Sequence, residues 1–206
     1  MSSAVAILSD LDGTLLDSKA SVVAAFRWWA ELRGLPPDTA NRVPHGRTSA
    51  DAAALLAPHL DADEEGAVLD RRQADDTAGV VALAGARELL MTHERIAVVT
   101  SCPVPLAHAR LRAAELPVPG VLVTAEGVRN AKPHPEPYLV GAERLGARPS
   151  ECIVLEDAPA GVQSGVAAGM HVIALLTTHR QVDLPGAHDH IATLHDLWPA
   201  VARLMR

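Results

Sequence analysis

Aromatic side chains are nearly missing from this chain: one Phe, one Tyr and three Trp stand among 206 residues. Large rings cannot build its interior, and the abundant Ala, Val and Leu imply an aliphatic core. Cysteine is as scarce. Cys102 and Cys152 are too few for a disulfide framework, so a reducing cytoplasm is the expected setting. No apolar run approaches the roughly 18 residues that a membrane span needs. The run Ala4-Val5-Ala6-Ile7-Leu8, close behind Met1, is too short for a secretory core and has no basic start. An excess of positive charge is missing too. The formal charge of −7 has the wrong sign for a broad nucleic-acid surface, where cations must neutralise phosphates. A small phosphorylated metabolite needs only a local positive spot and stays possible. No block of like charge, internal repeat or low-complexity tract occurs.

What is present fits a globular chain. Hydrophobic residues make up 49% and charged residues 21%, a balance that excludes a disordered composition. The length suits one core, alone or with a small inserted unit. Short β-branched runs at 4–9, 96–100, 120–124, 152–155, 170–175 and 190–192 alternate with helical stretches at 84–93, 106–115, 136–145, 158–168 and 194–205. Continuous apolar strands between helices predict an α/β fold, a doubly wound parallel sheet covered on both faces. One segment breaks the alternation. From Ser18 to about Val81 the periodicity is helical, at 21–33, 49–56 and 62–77, with breaks at Leu35-Pro36-Pro37 and Ala57-Pro58-His59 and no convincing strand. A structureless loop of that length is improbable. The expected organisation is a core of residues 1–16 and 84–206 with a helical insertion at 17–83.

Chemistry collects at the expected strand ends. The first run closes on Asp10-Leu11-Asp12-Gly13-Thr14. Ligands of open α/β sheets bind beyond the carboxyl ends of strands, and a spacing of two puts Asp10 and Asp12 on one side of an extended chain. Two carboxylates this close need a cation between them or a proton on one of them. Gly13 permits a sharp turn, and Thr14 can hydrogen-bond across it. The run at 96–100 ends in Thr100-Ser101, whose hydroxyls can cap a helix and also hold a phosphoryl oxygen. In Lys132-Pro133-His134-Pro135 the prolines stiffen the entry to a helix and fix a cation before it. The run at 152–155 delivers Glu156-Asp157, an acidic pair that is costly to bury without a compensating cation.

Taken together these residues resemble the haloacid dehalogenase-like hydrolase superfamily over nearly the whole chain. Asp10-Leu11-Asp12-Gly13-Thr14 looks like its first motif, Thr100 its second, Lys132-Pro133-x-Pro135 its third and Glu156-Asp157 its fourth. The helical insertion resembles the family's small cap. Trp28-Trp29, His45-Gly46-Arg47 and Glu156-Asp157-Ala158-Pro159-Ala160-Gly161 are similar to the sugar-phosphatase-like branch. The resemblance implies Asp10 as nucleophile and metal ligand. It makes Asp12 the general acid and base, its backbone carbonyl on the metal. Thr100 and Lys132 then bind the phosphoryl group, Asp157 completes a Mg2+ site, and Glu156 lies behind it. Asp12 argues against a true dehalogenase and against the phosphonatase branch, and no lysine lies between Lys19 and Lys132 to form a Schiff base in the cap. Ser9 stands where many relatives carry Phe.

The expected reaction is Mg2+-dependent hydrolysis of a small phosphate monoester, a sugar or polyol phosphate, through an aspartyl phosphate. Ser101, Arg47 and His45 are the candidate substrate contacts, His45 with a structural role as its alternative, and Thr14 supports the first loop. Of Trp28 and Trp29, one is expected to pack inside the insertion and the other to line the pocket. Cys102 is either a passive helix-start residue or an oxidation-sensitive neighbour of the site. A phosphosugar mutase on the same core and a non-catalytic phosphate-binding or signalling module are the alternatives. Oligomeric state is left open.

Overall fold

The computed structural model describes residues 5–204. The expected strand start at Ala4 and the expected helix end at Met205 lie outside them. Six strands, β1 (Ala6–Ser9), β4 (Ile96–Val99), β5 (Val121–Val123), β6 (Cys152–Glu156), β7 (His171–Leu175) and β8 (Asp189–Ile191), form one parallel sheet in the order β5-β4-β1-β6-β7-β8. Ile7 lies opposite Ile96 on one side and Ile153 on the other.

Side chains alternate across the sheet, so each apolar run feeds two cores. Ile7, Val98, Leu155 and Ile173 pack against α4 (Ala86–Thr92), α5 (Val104–Ala113) and α8 (Leu197–Leu204). Leu8, Val99, Val154 and Val172 face Tyr138 of α6 (Glu136–Arg144) and Val162 of α7 (Pro159–Ala167). Both faces are covered, which is why the strands show no polar alternation. The strand order reverses at β1, and the crevice beyond its carboxyl end is where such sheets bind ligands.

The segment between β1 and α4 carries α1 (Lys19–Leu32), α2 (Ser49–Leu56) and α3 (Ala62–Asp75). Thr48 caps α2 by accepting from the Asp51 amide at 3.1 Å, and Asp61 caps α3 from two amides. A six-residue 3-10 turn, Pro37–Arg42, links α1 towards α2. These helices share a small core built on Phe26, Trp29, Ala53 and Leu69. The Phe26 and Trp29 rings meet edge to face at 5.9 Å, so two of the chain's few aromatics supply bulk where three short helices could not. Trp29 is fully buried and donates from Nε1 to Glu65 Oε2 at 2.5 Å, and Arg33 shares that oxygen at 2.9 Å. Trp28 points outward beneath the Arg72 guanidinium, 5.6 Å from the ring centre. The expectation that the second Trp lines the pocket is therefore corrected: Phe26 lines it instead.

One element went unread in the sequence. β2 (Leu16–Asp17) pairs antiparallel with β3 (Val81–Ala82), joining the two ends of the segment that holds α1–α3. Two residues per strand are too few for any periodic signal.

Candidate active site

β1 continues past Ser9. The Asp10 amide donates to Leu155 O at 2.9 Å, which carries the register into the loop and sets Asp10 beside Glu156 and Asp157. Asp10, Glu156 and Asp157 each offer a carboxylate oxygen, and these oxygens lie within 4.8 Å of one another. Gly13 has φ +83, and a Cβ there would sit 2.2 Å from Asp157 Oδ2, so both backbone hand and space demand glycine. Thr14 donates to Asp157 Oδ1 at 3.3 Å, Thr178 donates to the other carboxylate oxygen, and Thr177 donates to Gly13 O.

Lys132 holds this cluster together. Its side chain is 1% exposed, and Nζ donates to Asp10 Oδ1 at 2.6 Å, Glu156 Oε1 at 2.7 Å and Val99 O at 2.9 Å. All three ammonium protons are used. Burial alone would lower the Lys132 pKa, but the Asp10 and Glu156 carboxylates outweigh it and push it up. Burial drives the Asp10 carboxyl up to about 7 against the pull of Lys132, with Glu156 and Asp12 adding to the rise. Burial, then Glu156 and Asp10, hold Asp157 well above the ordinary carboxylate range. Three buried carboxylates thus face one ammonium, and a divalent cation is the fitting complement.

The three acids are not equivalent. Glu156 Oε1 accepts from Lys132 and from the Tyr138 hydroxyl at 2.7 Å, and Oε2 accepts from the Asp157 and Ala158 amides at 3.1 and 3.3 Å. Its acceptor capacity is spent inside the protein. A Cβ on Gly161 would lie 1.7 Å from Glu156 Oε1, so α7 must begin with a bare backbone here. Asp10 and Asp157 keep lone pairs for a cation.

Asp12 takes a different set of partners. Oδ1 accepts from Ser18 Oγ at 2.6 Å, and Oδ2 accepts from Arg110 Nη1 at 2.5 Å and Cys102 Sγ at 3.2 Å. The Asp12 side chain is not among the clustered acid groups. Arg110, on α5 and 3% exposed, also donates from Nη2 to Gln73 Oε1 on α3 at 2.6 Å. Neither Arg110 nor Gln73 was singled out in the sequence. The available signal was a cation at helical spacing from Leu106 and Ala107, on the buried face of α5. Cys102 touches both Asp12 and Arg110, and burial pushes its thiol above its ordinary value, which leaves it a poor nucleophile.

The remaining expected residues surround one cleft between α1–α3 and the carboxyl ends of the strands. Thr100 is buried and accepts from the Cys102 amide at 3.1 Å, stabilising the turn into α5. Ser101 lines the cleft but donates to Gly46 O at 3.0 Å, tying the core to the inserted segment. Arg47 lines the cleft on the inserted side. His45 meets the ring of His179 edge on at 5.6 Å, and burial, then His179, lower its pKa.

Comparison with known proteins agrees with this geometry. The model of the haloacid dehalogenase-like hydrolase family matches residues 5–169. Hexitol phosphatase A of Escherichia coli is 43% identical over 197 residues, covering 92% of this chain and 90% of the relative. Glycerol-1-phosphate phosphohydrolase 1 of Saccharomyces cerevisiae is 32% identical over 189 residues, covering 84% and 75%. Among solved structures, a hydrolase from Pseudomonas syringae superposes with a TM-score of 0.84 at 26% identity, covering 97% of this chain and 99% of that one.

Proposed function

Since the chain belongs to the haloacid dehalogenase-like hydrolases, we propose that it is a phosphatase acting on a polyol or sugar phosphate monoester, with Asp10 as its nucleophile and residues 17–83 as its cap. The observation that carries this is the Lys132 bridge: a saturated ammonium fixes one Asp10 oxygen at 2.6 Å and leaves the other to meet phosphorus. Thr100 stands at the next strand end, where a phosphoryl oxygen belongs. Asp12 lies along the same cleft, its carboxylate held by Ser18 and Arg110.

The reaction is a double displacement. The Asp10 carboxylate forms a bond to phosphorus while the ester P–O bond breaks, and the departing oxygen takes a proton from Asp12. Asp12, now ionised, accepts a proton from water as that water attacks the aspartyl phosphate. This step frees inorganic phosphate and restores Asp10. The hydrogen bonds from Ser18 and Arg110 position Asp12 as the acceptor of the proton from water; to donate in the first step its carboxyl must release the Arg110 guanidinium and carry the proton itself. Asp10, Asp157 and the backbone carbonyl of Asp12 would hold Mg2+, which when bound offsets charge on the transferring group. Glu156 keeps Lys132 in place behind it.

The test is phosphate release from a hexitol 6-phosphate and from glycerol 1-phosphate, with Mg2+ and with a chelator. Release that depends on Mg2+ is expected. A phosphosugar isomer in place of free phosphate would overturn the hydrolase reading in favour of a mutase.

The site also predicts how metal and pH are linked. Asp10 has an ordinary value of 3.8 and is raised to about 7 in the fold. Between these values the folded chain keeps a proton that the unfolded chain has lost, so metal-free stability falls as pH rises through this window. A cation selects the ionised form. Mg2+ should therefore raise the melting temperature more at pH 8 than at pH 5.5. The reverse order, read by scanning fluorimetry, would remove Asp10 from the metal site.

Arg47 offers donors from the cap side of the cleft. Replacing it with Ala should cut kcat/KM for the preferred polyol phosphate by about tenfold, with little change for an aryl phosphate. Equal losses on both would deny it a role in selectivity.

A further inference from the structure

A hydrogen-bonded chain runs along the cleft from Asp12 into the inserted helices. Arg110 joins Asp12 to Gln73 Oε1, Gln73 Nε2 donates to Ser49 Oγ at 3.2 Å and to Leu69 O at 3.2 Å, and Ser49 Oγ donates to Asp70 Oδ1 at 2.6 Å. Ser49, Asp70, Gln73 and Arg110 all line the same cleft as Asp10. Counting protons along the chain decides what it can bind. The Ser49 hydroxyl has one proton, and Asp70 takes it. Both Gln73 amide protons are used. On Ser49, Gln73 and Asp70 what remains open is acceptor capacity: the second lone pair on Gln73 Oε1, and Asp70 Oδ2, which accepts from no described residue; the spare donor of the chain, Arg110 Nε, is buried and presents no proton to the cleft.

A wall that offers only acceptors binds donors. Phosphate and carboxylate groups are acceptors when ionised and would meet the Asp70 charge as well. Hydroxyl groups supply what the wall lacks. Two acidic residues of the 17–83 segment line the cleft among the described residues, Asp17, whose carboxylate accepts from the Lys19 amide at 2.9 Å, and Asp70 on the helical wall, and Val22, Phe26 and Ala52 form an apolar flank beside the chain, suited to the C–H face of a polyol. We propose that Asp70 and Gln73, oriented by Ser49 and Arg110, form a hydroxyl-recognition subsite that takes the neutral, polyhydroxylated end of the leaving group and refuses a second anion there. The proposal rests on the phosphatase reading above and specifies its substrate class from the cleft wall rather than from relatives.

The experiment compares the full-length wild type with Asp70→Ala and Asp70→Asn in the presence of Mg2+. The substrates are a hexitol 6-phosphate, a hexitol bisphosphate and 4-nitrophenyl phosphate. Asp70→Ala should lower kcat/KM for the hexitol monophosphate by roughly 10- to 100-fold, the range for losing a hydrogen bond to a charged group. Turnover of the aryl phosphate should stay within about twofold, since it presents no hydroxyl donors. Both variants should narrow the preference for monophosphate over bisphosphate, because both remove the repelling charge, and Asp70→Asn should recover part of the monophosphate loss through its remaining oxygen. Equal losses on hexitol and aryl substrates, or no loss on either, would overturn the subsite. A wild type that cleaves the aryl phosphate yet ignores every polyol and sugar phosphate would sink the substrate reading itself, a failure visible without any variant.

Discussion

Asp10→Asn should lower kcat by roughly four orders of magnitude or more, the scale of losing a covalent nucleophile, and leave the fold intact. The amide keeps an oxygen for Lys132 Nζ, and the backbone bond from residue 10 to Leu155 O does not involve the side chain. What disappears is the charge that the proposed mechanism uses to form the bond to phosphorus. Removing one of several crowded buried carboxylates also relieves repulsion, so the metal-free variant should melt at or above the wild-type temperature at pH 8. Acid-quenched wild type caught during turnover should carry phosphate on the peptide that contains Asp10, and the variant should carry none. Phosphorylation at Asp12, or turnover near the wild-type rate in the variant, would displace Asp10 from its role.

Lys132→Met tests the other side of the same contact and should act on stability as strongly as on rate. The substitution keeps a stem of the same length as far as Cε and deletes the ammonium with every proton that Asp10, Glu156 and Val99 O receive from it. Breaking a buried pair by removing one partner costs about 3–5 kcal/mol. In a chain of this size that lowers the melting temperature by roughly 6–20 °C. The sign of the pH dependence follows from the carboxylates. Without the ammonium, which pulls against the rise of Asp10 and Asp157, these two carboxyls are pushed up further, the folded state clings to protons, and stability falls as pH climbs. The variant should therefore lose more stability at pH 8 than at pH 5.5, and phosphatase activity should vanish at both. Adding Glu156→Gln should restore part of the stability and none of the activity. A deficit that does not vary with pH would mean that packing, and not charge, is what Lys132 contributes.

Why some of this was readable in the sequence and some was not is a matter of range. The runs around Ile7, Val98 and Val154 announce themselves because strands covered on both faces are apolar at every position. The acids and Lys132 stand at strand ends and before a proline-fixed turn, so local chain geometry places them. The β2–β3 pair is too short to have a period. Arg110 and Gln73 belong to helices from different parts of the chain, and nothing within either helix says that they meet. Adjacency told us that Trp28 and Trp29 face apart; only the packing of α1 on its neighbours decides which one is buried. The same holds for Ser101, whose hydroxyl reaches Gly46 because the inserted segment closes over it.

The short β2–β3 ladder has an implication for ancestry. It clamps the first and last turns of the inserted segment side by side, and Leu83 N reaches Leu15 O at 2.9 Å just beyond it. A stretch whose ends are already neighbours imposes little closure entropy on the rest of the chain, whatever its length. Helices can be gained, trimmed or exchanged beyond that stem while the Asp10–Thr14 loop below keeps its shape. On the proposed reading of residues 17–83 as a cap, one hydrolytic engine can thus be refitted for new leaving groups by rewriting only that insertion.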